Sequence, residues 1–185
     1  MAVSIRLASE DDAEAIAAIY RPYVEKTRIS FEQEPPDAAE IVRRIMANPI
    51  HPWLVVAEDG RILGYTSTSP MRARRAYRWS VETGIYLDPA AQRRGYGRKL
   101  YEAHLDLLQR QSFVTAIVGI ALPNAASVAL HEKLGFTLSG IERGVGFKLG
   151  EWVDVGRWQK DIAVRRASPA EPRPYNEIKC GSASP

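Results

Sequence analysis

Leu87-Asp88-Pro89-Ala90-Ala91-Gln92-Arg93-Arg94-Gly95-Tyr96-Gly97-Arg98-Lys99-Leu100 reads as the end of a strand, a short loop and a helix that opens on a pair of glycines. Glycine at such a point permits positive φ and lets a ligand approach the backbone amides. The first N–H groups of a helix have no intrahelical acceptor and sit at the positive end of its dipole, so a pyrophosphate fits there. Arg93, Arg94, Arg98 and Lys99 add positive charge around it. A Gly-x-Gly pair is weak by itself, because a helix start with solvated arginines has the same pattern. A dinucleotide-binding turn needs a third glycine and a later acidic residue, and no Walker loop is present.

Working outward, Val3, Ile5 and Leu7 alternate as in a strand. Ser9 and Asp12 then open a helix with Ala13, Ile16, Ala17, Tyr20, Tyr23 and Val24 on its apolar face. Asp37 and Glu40 open a second helix, whose buried stripe is expected at Ile41, Val42, Ile45 and Met46. Residues 53–57 and 61–69 read as a hairpin around Asp59-Gly60. Residues 77–87 read as the longest strand. A helix over 95–111 precedes a nearly continuous apolar strand over 115–122. A helix from Asn124 to Leu134 stops at Gly135, and residues 136–149 and 153–160 pair around Gly150. This order predicts an α/β (α+β) domain with a mixed, mostly antiparallel central sheet flanked by helices. The domain spans residues 1–162. Residues 163–185 form a polar, proline-rich tail without periodicity, flexible or laid over the surface.

Among 185 residues, 25 basic against 22 acidic side chains give a net charge of +3, and 45% of residues are hydrophobic. That balance suits one globular core and does not demand nucleic acid. No apolar run is long enough for a membrane span, and the N-terminus lacks a secretory pattern. Cys180 is the single cysteine, and His51, His104 and His131 do not form a metal-binding spacing. The expected setting is therefore the reducing cytoplasm, with no metal and no membrane.

Gln92-Arg93-Arg94-Gly95-Tyr96-Gly97 resembles the Gln/Arg-x-x-Gly-x-Gly/Ala signature of the GNAT superfamily of acetyl-CoA-dependent N-acetyltransferases. Asn124-Ala125-Ala126-Ser127 and His131-Glu132-Lys133-Leu134-Gly135-Phe136 resemble its second marker, an asparagine-headed helix ending in Leu-Gly-Phe. Ile29-Ser30-Phe31-Glu32, Val81-Glu82-Thr83, Leu122-Pro123-Asn124 and the stretch from Gly146 to Gln159 are similar to the phosphinothricin N-acetyltransferase family, whose members acetylate the α-amine of phosphinothricin, methionine sulfoximine and methionine sulfone. The similarity runs over about residues 3–162 and leaves out the tail.

The resemblance implies a sheet splayed at the cofactor site, with a bulge near Gly84. Ile85, Tyr86 and Leu87 would pair with the pantetheine arm of acetyl-CoA, and Arg93, Arg94, Gly95, Tyr96, Gly97 and Arg98 would hold its pyrophosphate. Asn124 contacts the pantetheine or caps its helix. Acetyl transfer needs a neutral amine, and the family's glutamate at this place makes Glu82 the base. Alternation sets Glu82 on one face with Ser80 and Tyr86, opposite Val81, Thr83 and Ile85. His131 stands where many superfamily members carry a tyrosine acid; it is the acid, a cofactor contact or a buried core histidine. Arg72 and Arg75 with Tyr77, together with Phe31, form the expected substrate pocket, against the reading of Arg72, Arg74 and Arg75 as a solvated loop. Phe147, Trp152 and Trp158 read as core or dimer contacts, and the family implies a homodimer. Rival functions are acetylation of another amine, such as a polyamine or a protein N-terminus, and a non-catalytic acyl-CoA-binding module.

Overall fold

The alternating residues at the N-terminus form strand β1 (Val3–Leu7), which lies at one edge of a seven-stranded sheet ordered β1-β2-β3-β4-β5-β7-β6. The computed structural model describes residues 2–178. Helix α1 (Ala13–Lys26) starts where the Asp12 carboxylate accepts from the Ser9 amide at 2.8 Å, and it buries Ile16, Tyr20 and Val24 one turn apart. Helix α2 (Ala38–Met46) is capped by Asp37, whose carboxylate accepts from the Glu40 amide at 2.8 Å. Its stripe is narrower than expected. Ile41 and Ile45 are buried, whereas Met46 is 56% exposed. At about 100° per residue, Met46 is rotated roughly 140° from Ile41 and leaves the core face.

Strands β2 (Leu54–Glu58) and β3 (Arg61–Pro70) form the expected hairpin, with Asp59 and Gly60 both at positive φ, 48° and 83°. Strand β4 (Ser80–Leu87) is shorter than the sequence suggested, and β6 (Thr137–Lys148) is the longest strand. Residues Arg75–Tyr77 form a 3-10 turn instead. The tail accounts for the loss. Arg78 donates twice to the Glu171 carboxylate, at 2.7 and 2.6 Å, and the Trp79 indole donates to the Ala170 carbonyl at 2.8 Å. Farther on, the Arg173 amide donates to the Gln111 carbonyl at 3.0 Å, and the Gln111 side chain donates back to the Arg173 carbonyl at 2.8 Å. The described part of the tail thus lies on the surface of the body.

Helix α3 (Tyr96–Arg110), strand β5 (Thr115–Leu122), helix α4 (Ala125–Lys133) and the pair β6 and β7 (Glu151–Asp161) complete the order. One sheet face packs on α1 and α2 through Ile16, Tyr20, Ile41, Val55 and Tyr65. The other packs on α3 and α4 through Tyr101, Leu108, Phe113, Val118 and Phe136.

The decisive irregularity lies at β4. Against β3 its ladder is continuous from Pro70↔Val81 to Gly64↔Leu87, with Gly84 in regular register opposite Ser67. The bulge expected at Gly84 is therefore absent; the extra residue is Leu63 in β3, opposite Val56 and Ala57. Against β5, in contrast, β4 pairs only at Ser80, Val81 and Glu82 and in parallel, and beyond that the two strands separate. The Thr83 hydroxyl donates to the Ile117 carbonyl at 3.1 Å at the point of parting, so a side chain replaces the next ladder bond.

Gly64 sets how closely β3 holds the end of β4. A Cβ there would lie 2.3 Å from Leu87 Cδ2 and 2.8 Å from the Tyr86 carbonyl oxygen, which is backbone and cannot rotate away. Gly64→Ala is expected to cost about 2 kcal/mol or more in urea unfolding, in line with overpacked sites. A wild-type midpoint would show that β4 is not held this tightly.

Candidate active site

The gap between β4 and β5 opens into a continuous cleft of about 1010 Å³ that passes through the sheet. On the α1–α2 side it is lined by Tyr20, Tyr23, Trp53, Tyr65 and Tyr86, with Glu32 and Arg44 as polar groups. On the α3–α4 side it is lined by Ile85, Leu87, Arg93, Gly95, Gly97, Arg98, Asn124 and His131. Glu82 and Gly119 lie between the two ends. An extended chain can add to the free edge of β4, as a further strand would.

The glycine turn has the conformation its sequence calls for. Gly95 is the residue before α3, with φ of 85°, and Arg93 also takes positive φ at 60°. Holding a non-glycine residue there costs roughly 1 kcal/mol, and such strain collects at functional turns. Gly97 lets the helix start close on β4: a Cβ would sit 3.1 Å from Leu87 Cδ1 and 3.7 Å from Ile85 Cδ1. The unpartnered first-turn amides of α3 point an anion site at the cleft. Arg93 and Arg98 line that cleft, but Arg94 and Tyr96 do not. Glu58 draws both away, accepting from Arg94 at 3.2 Å and from the Tyr96 hydroxyl at 2.5 Å.

Asn124 fills its capping role, accepting from the Ser127 amide at 3.1 Å, and also lines the cleft. His131 is fully buried, with its ring edge-on to Tyr101 and Phe136. Its Nδ1 lies 2.8 Å from the Ser127 carbonyl. A carbonyl only accepts, so Nδ1 carries the hydrogen and Nε2 is a bare lone pair. That Nε2 is buried without a partner among the described residues. Burial holds the imidazole below its ordinary range, and therefore neutral at pH 7. Tyr101 has no free proton either. The single hydrogen of Thr83 goes to Ile117, so the Tyr101 phenol must donate to Thr83, at 2.5 Å.

Glu82 alternates as expected, facing the same side as Tyr86 while Thr83 faces Tyr101. Its surroundings are not purely apolar. Arg157, from β7, donates through Nη1 to Glu82 Oε1 at 2.6 Å. At the aromatic end, Glu32 accepts from the two terminal guanidinium nitrogens of Arg44, at 2.8 and 3.0 Å, and from the Tyr20 hydroxyl at 3.0 Å. That pairing holds the Glu32 carboxyl below the usual carboxylate range. Lys148 fastens the same loop, donating to the Ser30 and Glu32 carbonyls at 2.7 and 2.6 Å.

The expected substrate residues lie outside this cleft. Arg72, Arg75 and Tyr77 line a separate recess of about 270 Å³ that Glu171 and Pro172 help to close. Phe31 rests on β6, where a Cβ on Gly146 would fall 2.2 Å from its ring. Its neighbours Ile29 and Glu32 reach the cleft instead. Sequence reading missed Glu32, Arg44, Tyr65 and Arg157. Glu32 and Arg157 lie within quoted motifs, but only their charge partners could have singled them out: Arg44 on α2 for Glu32, and Glu82 across the sheet for Arg157.

The family model of the acetyltransferase (GNAT) domain matches residues 5–156. A phosphinothricin N-acetyltransferase of Streptomyces viridochromogenes is 37% identical over 95% of this chain and 94% of that protein. An L-methionine sulfoximine/L-methionine sulfone acetyltransferase of Salmonella typhimurium is 34% identical over 91% of this chain and 99% of its own. A crystal structure of a phosphinothricin acetyltransferase from Sinorhizobium meliloti in complex with AcCoA superposes with a TM-score of 0.86 at 33% identity, covering 92% of this chain and 95% of that one. With a splayed sheet, a glycine turn at a helix start and these matches, the chain belongs to the GNAT acetyltransferase family.

Proposed function

We propose that this chain transfers the acetyl group of acetyl-CoA to the α-amine of a small amino acid or analogue, with phosphinothricin, methionine sulfoximine and methionine sulfone as the substrate class. The parting of β4 from β5, with a carboxylate in the cleft that runs through the gap, carries the reading. The names of the relatives supply the acceptor class.

The residues present fit acetyl-CoA. The open edge of β4 offers backbone groups to an amide-bearing arm, and the buried lone pair of His131 Nε2 awaits a donor. The α3 amides with Arg93 and Arg98 would hold the pyrophosphate. The thioester supplies the electrophilic acetyl carbon. In this reading Glu82 would take one proton of the ammonium, the neutral amine would form the N–C bond as the C–S bond breaks, and the second proton lost from nitrogen would pass through solvent to the departing thiolate. His131 acts as a hydrogen-bond acceptor. The acid role weighed from the sequence would first require it to take up a proton, which burial opposes.

The aromatic end of the cleft, floored by the Glu32–Arg44 pair, would take the acceptor's side chain. Arg72, Arg75 and Tyr77 could meet its α-carboxylate only by moving from their recess to the cleft. A cytoplasmic homodimer completes the proposal. Phe147 and Trp152 support it: their rings lie 5.2 Å apart on the hairpin that includes the edge strand β6, and they are 55% and 71% exposed.

A thiol-release assay with acetyl-CoA against a panel of amines should show turnover of methionine sulfoximine and phosphinothricin. Turnover of other amines alone would remove that substrate class. Glu82→Gln should lower the rate by about 100-fold at neutral pH and recover in part at alkaline pH, where the amine loses its own proton. An unchanged rate would take the base role from Glu82. Light scattering during gel filtration should report a dimer, and Trp152→Glu should shift it to monomer; a wild-type monomer would refute the assembly.

A further inference from the structure

Strand β5 is buried along most of its length, yet its fifth residue, Gly119, is exposed. Glycine inside a strand sacrifices packing and usually marks a close approach by something else. Here the visitor is Arg157. In the β5–β7 ladder Arg157 stands directly opposite Gly119, and its guanidinium lies across the glycine. A Cβ at position 119 would fall 2.9 Å from Arg157 Nη1 and 3.5 Å from Glu82 Oε1. The missing side chain is therefore the window through which a β7 arginine reaches a β4 carboxylate, over the strand between them.

The other side of the guanidinium is also held. Arg157 Nε donates to Glu142 of β6 at 3.3 Å, while Nη1 donates to Glu82 at 2.6 Å. A planar, charged fork gripped at two corners has little freedom to turn. Glu82 and Gly119 line the cleft, but Arg157 does not. Arg157 approaches the carboxylate from the β7 side, at Oε1.

We infer that Arg157, reaching through the Gly119 window and braced by Glu142, is a positioning residue that fixes one oxygen of Glu82 and leaves the other to face the acceptor amine. This rests on the reading of Glu82 as the base. Its function would be preorganisation: a carboxylate at the last pair of the β4–β5 ladder, beside the gap, has several rotamers, and a proton acceptor off by an ångström loses much of its effect. A purely architectural pair would tie β7 to β4 and act on stability alone.

The test uses the purified full chain, acetyl-CoA and the amine that turns over fastest in the panel. Arg157→Gln removes the fork. Gly119→Ala keeps both charged side chains but fills the window. Each should lower kcat by about 10-fold or more while KM for acetyl-CoA stays within about 2-fold, and Arg157→Lys should recover part of the loss. In a Glu82→Gln background both changes should add less than about 2-fold, because the group they position is gone. Calorimetric binding of acetyl-CoA reports that each variant is folded, and Gly119→Ala carries the test should Arg157→Gln fail to fold.

Normal kcat in Arg157→Gln and Gly119→Ala, beside a slow Glu82→Gln, would overturn the positioning role and leave Glu82 as base. Equal losses with and without Glu82 would mean that Arg157 acts on its own, which also overturns it. An active Glu82→Gln would remove the base reading and this inference together.

Discussion

A β-strand cannot leave its neighbour without exposing a row of amides and carbonyls, and buried or half-buried backbone groups do not stay unpaired. From Thr83 onward β4 has a partner on one edge only, the β3 ladder that runs to Gly64↔Leu87. Everything near the cleft answers that deficit. The Thr83 hydroxyl takes the carbonyl at the fork, the Tyr23 hydroxyl donates to the Leu87 carbonyl at 2.6 Å, and the rest of the edge remains open to the cleft. Two elements keep the gap from collapsing: α3 closes against Leu87 at Gly97, and β3 grips the same residue at Gly64. A strand held this firmly on one side and bare on the other is a template for an extended ligand.

The gap also sorts chemistry to its two ends. The α3–α4 side offers the start of a helix and arginines, which suits a polyanion. The α1–α2 side offers aromatic rings whose charged pair, Glu32 with Arg44, is already internally neutralised and further engaged by Glu40. Glu40 is in turn paired with Arg43, so two carboxylates and two guanidinium groups balance and the pocket floor is polar without a net charge from this cluster. Glu82 lines the cleft between these two ends, and under the proposed reading its carboxylate would take the proton of an amine that meets the thioester there.

What was legible from the sequence is what local chemistry dictates. Strand β5 was delimited at Thr115 and Leu122 because a continuous apolar run has sharp ends. The Asp59-Gly60 turn and the Gly95 and Gly135 helix boundaries followed from residues that take positive φ cheaply. Glu82 reached the cleft because alternation along a strand is a rigid rule. Where contacts come from far along the chain, local reading had no purchase. Residues 77–79 look like strand, but the tail claims Arg78 and Trp79 from 91 to 93 residues away. Arg94 looks like a phosphate ligand, but Glu58 on the β2–β3 hairpin holds it. Arg72 and Arg75 cluster in sequence with Tyr77, and the same tail encloses them in another recess.

Arg157 illustrates the limit most clearly, since its contacts join four strands at once. No periodicity joins residues 82, 119, 142 and 157; only the order β4-β5-β7-β6 brings them side by side. In sequence, Gly119 reads as a flaw in an apolar strand, and Glu142 as one more charge on an exposed edge. Once the register is known, each is explained by the others: the glycine gives passage, the outer carboxylate braces the guanidinium, and the inner one is presented to the cleft. A strand interior tolerates the loss of a side chain only when something occupies the space. Here the occupant is the group that touches Glu82, so the weakest-packed position of β5 and the charged centre of the cleft are one feature.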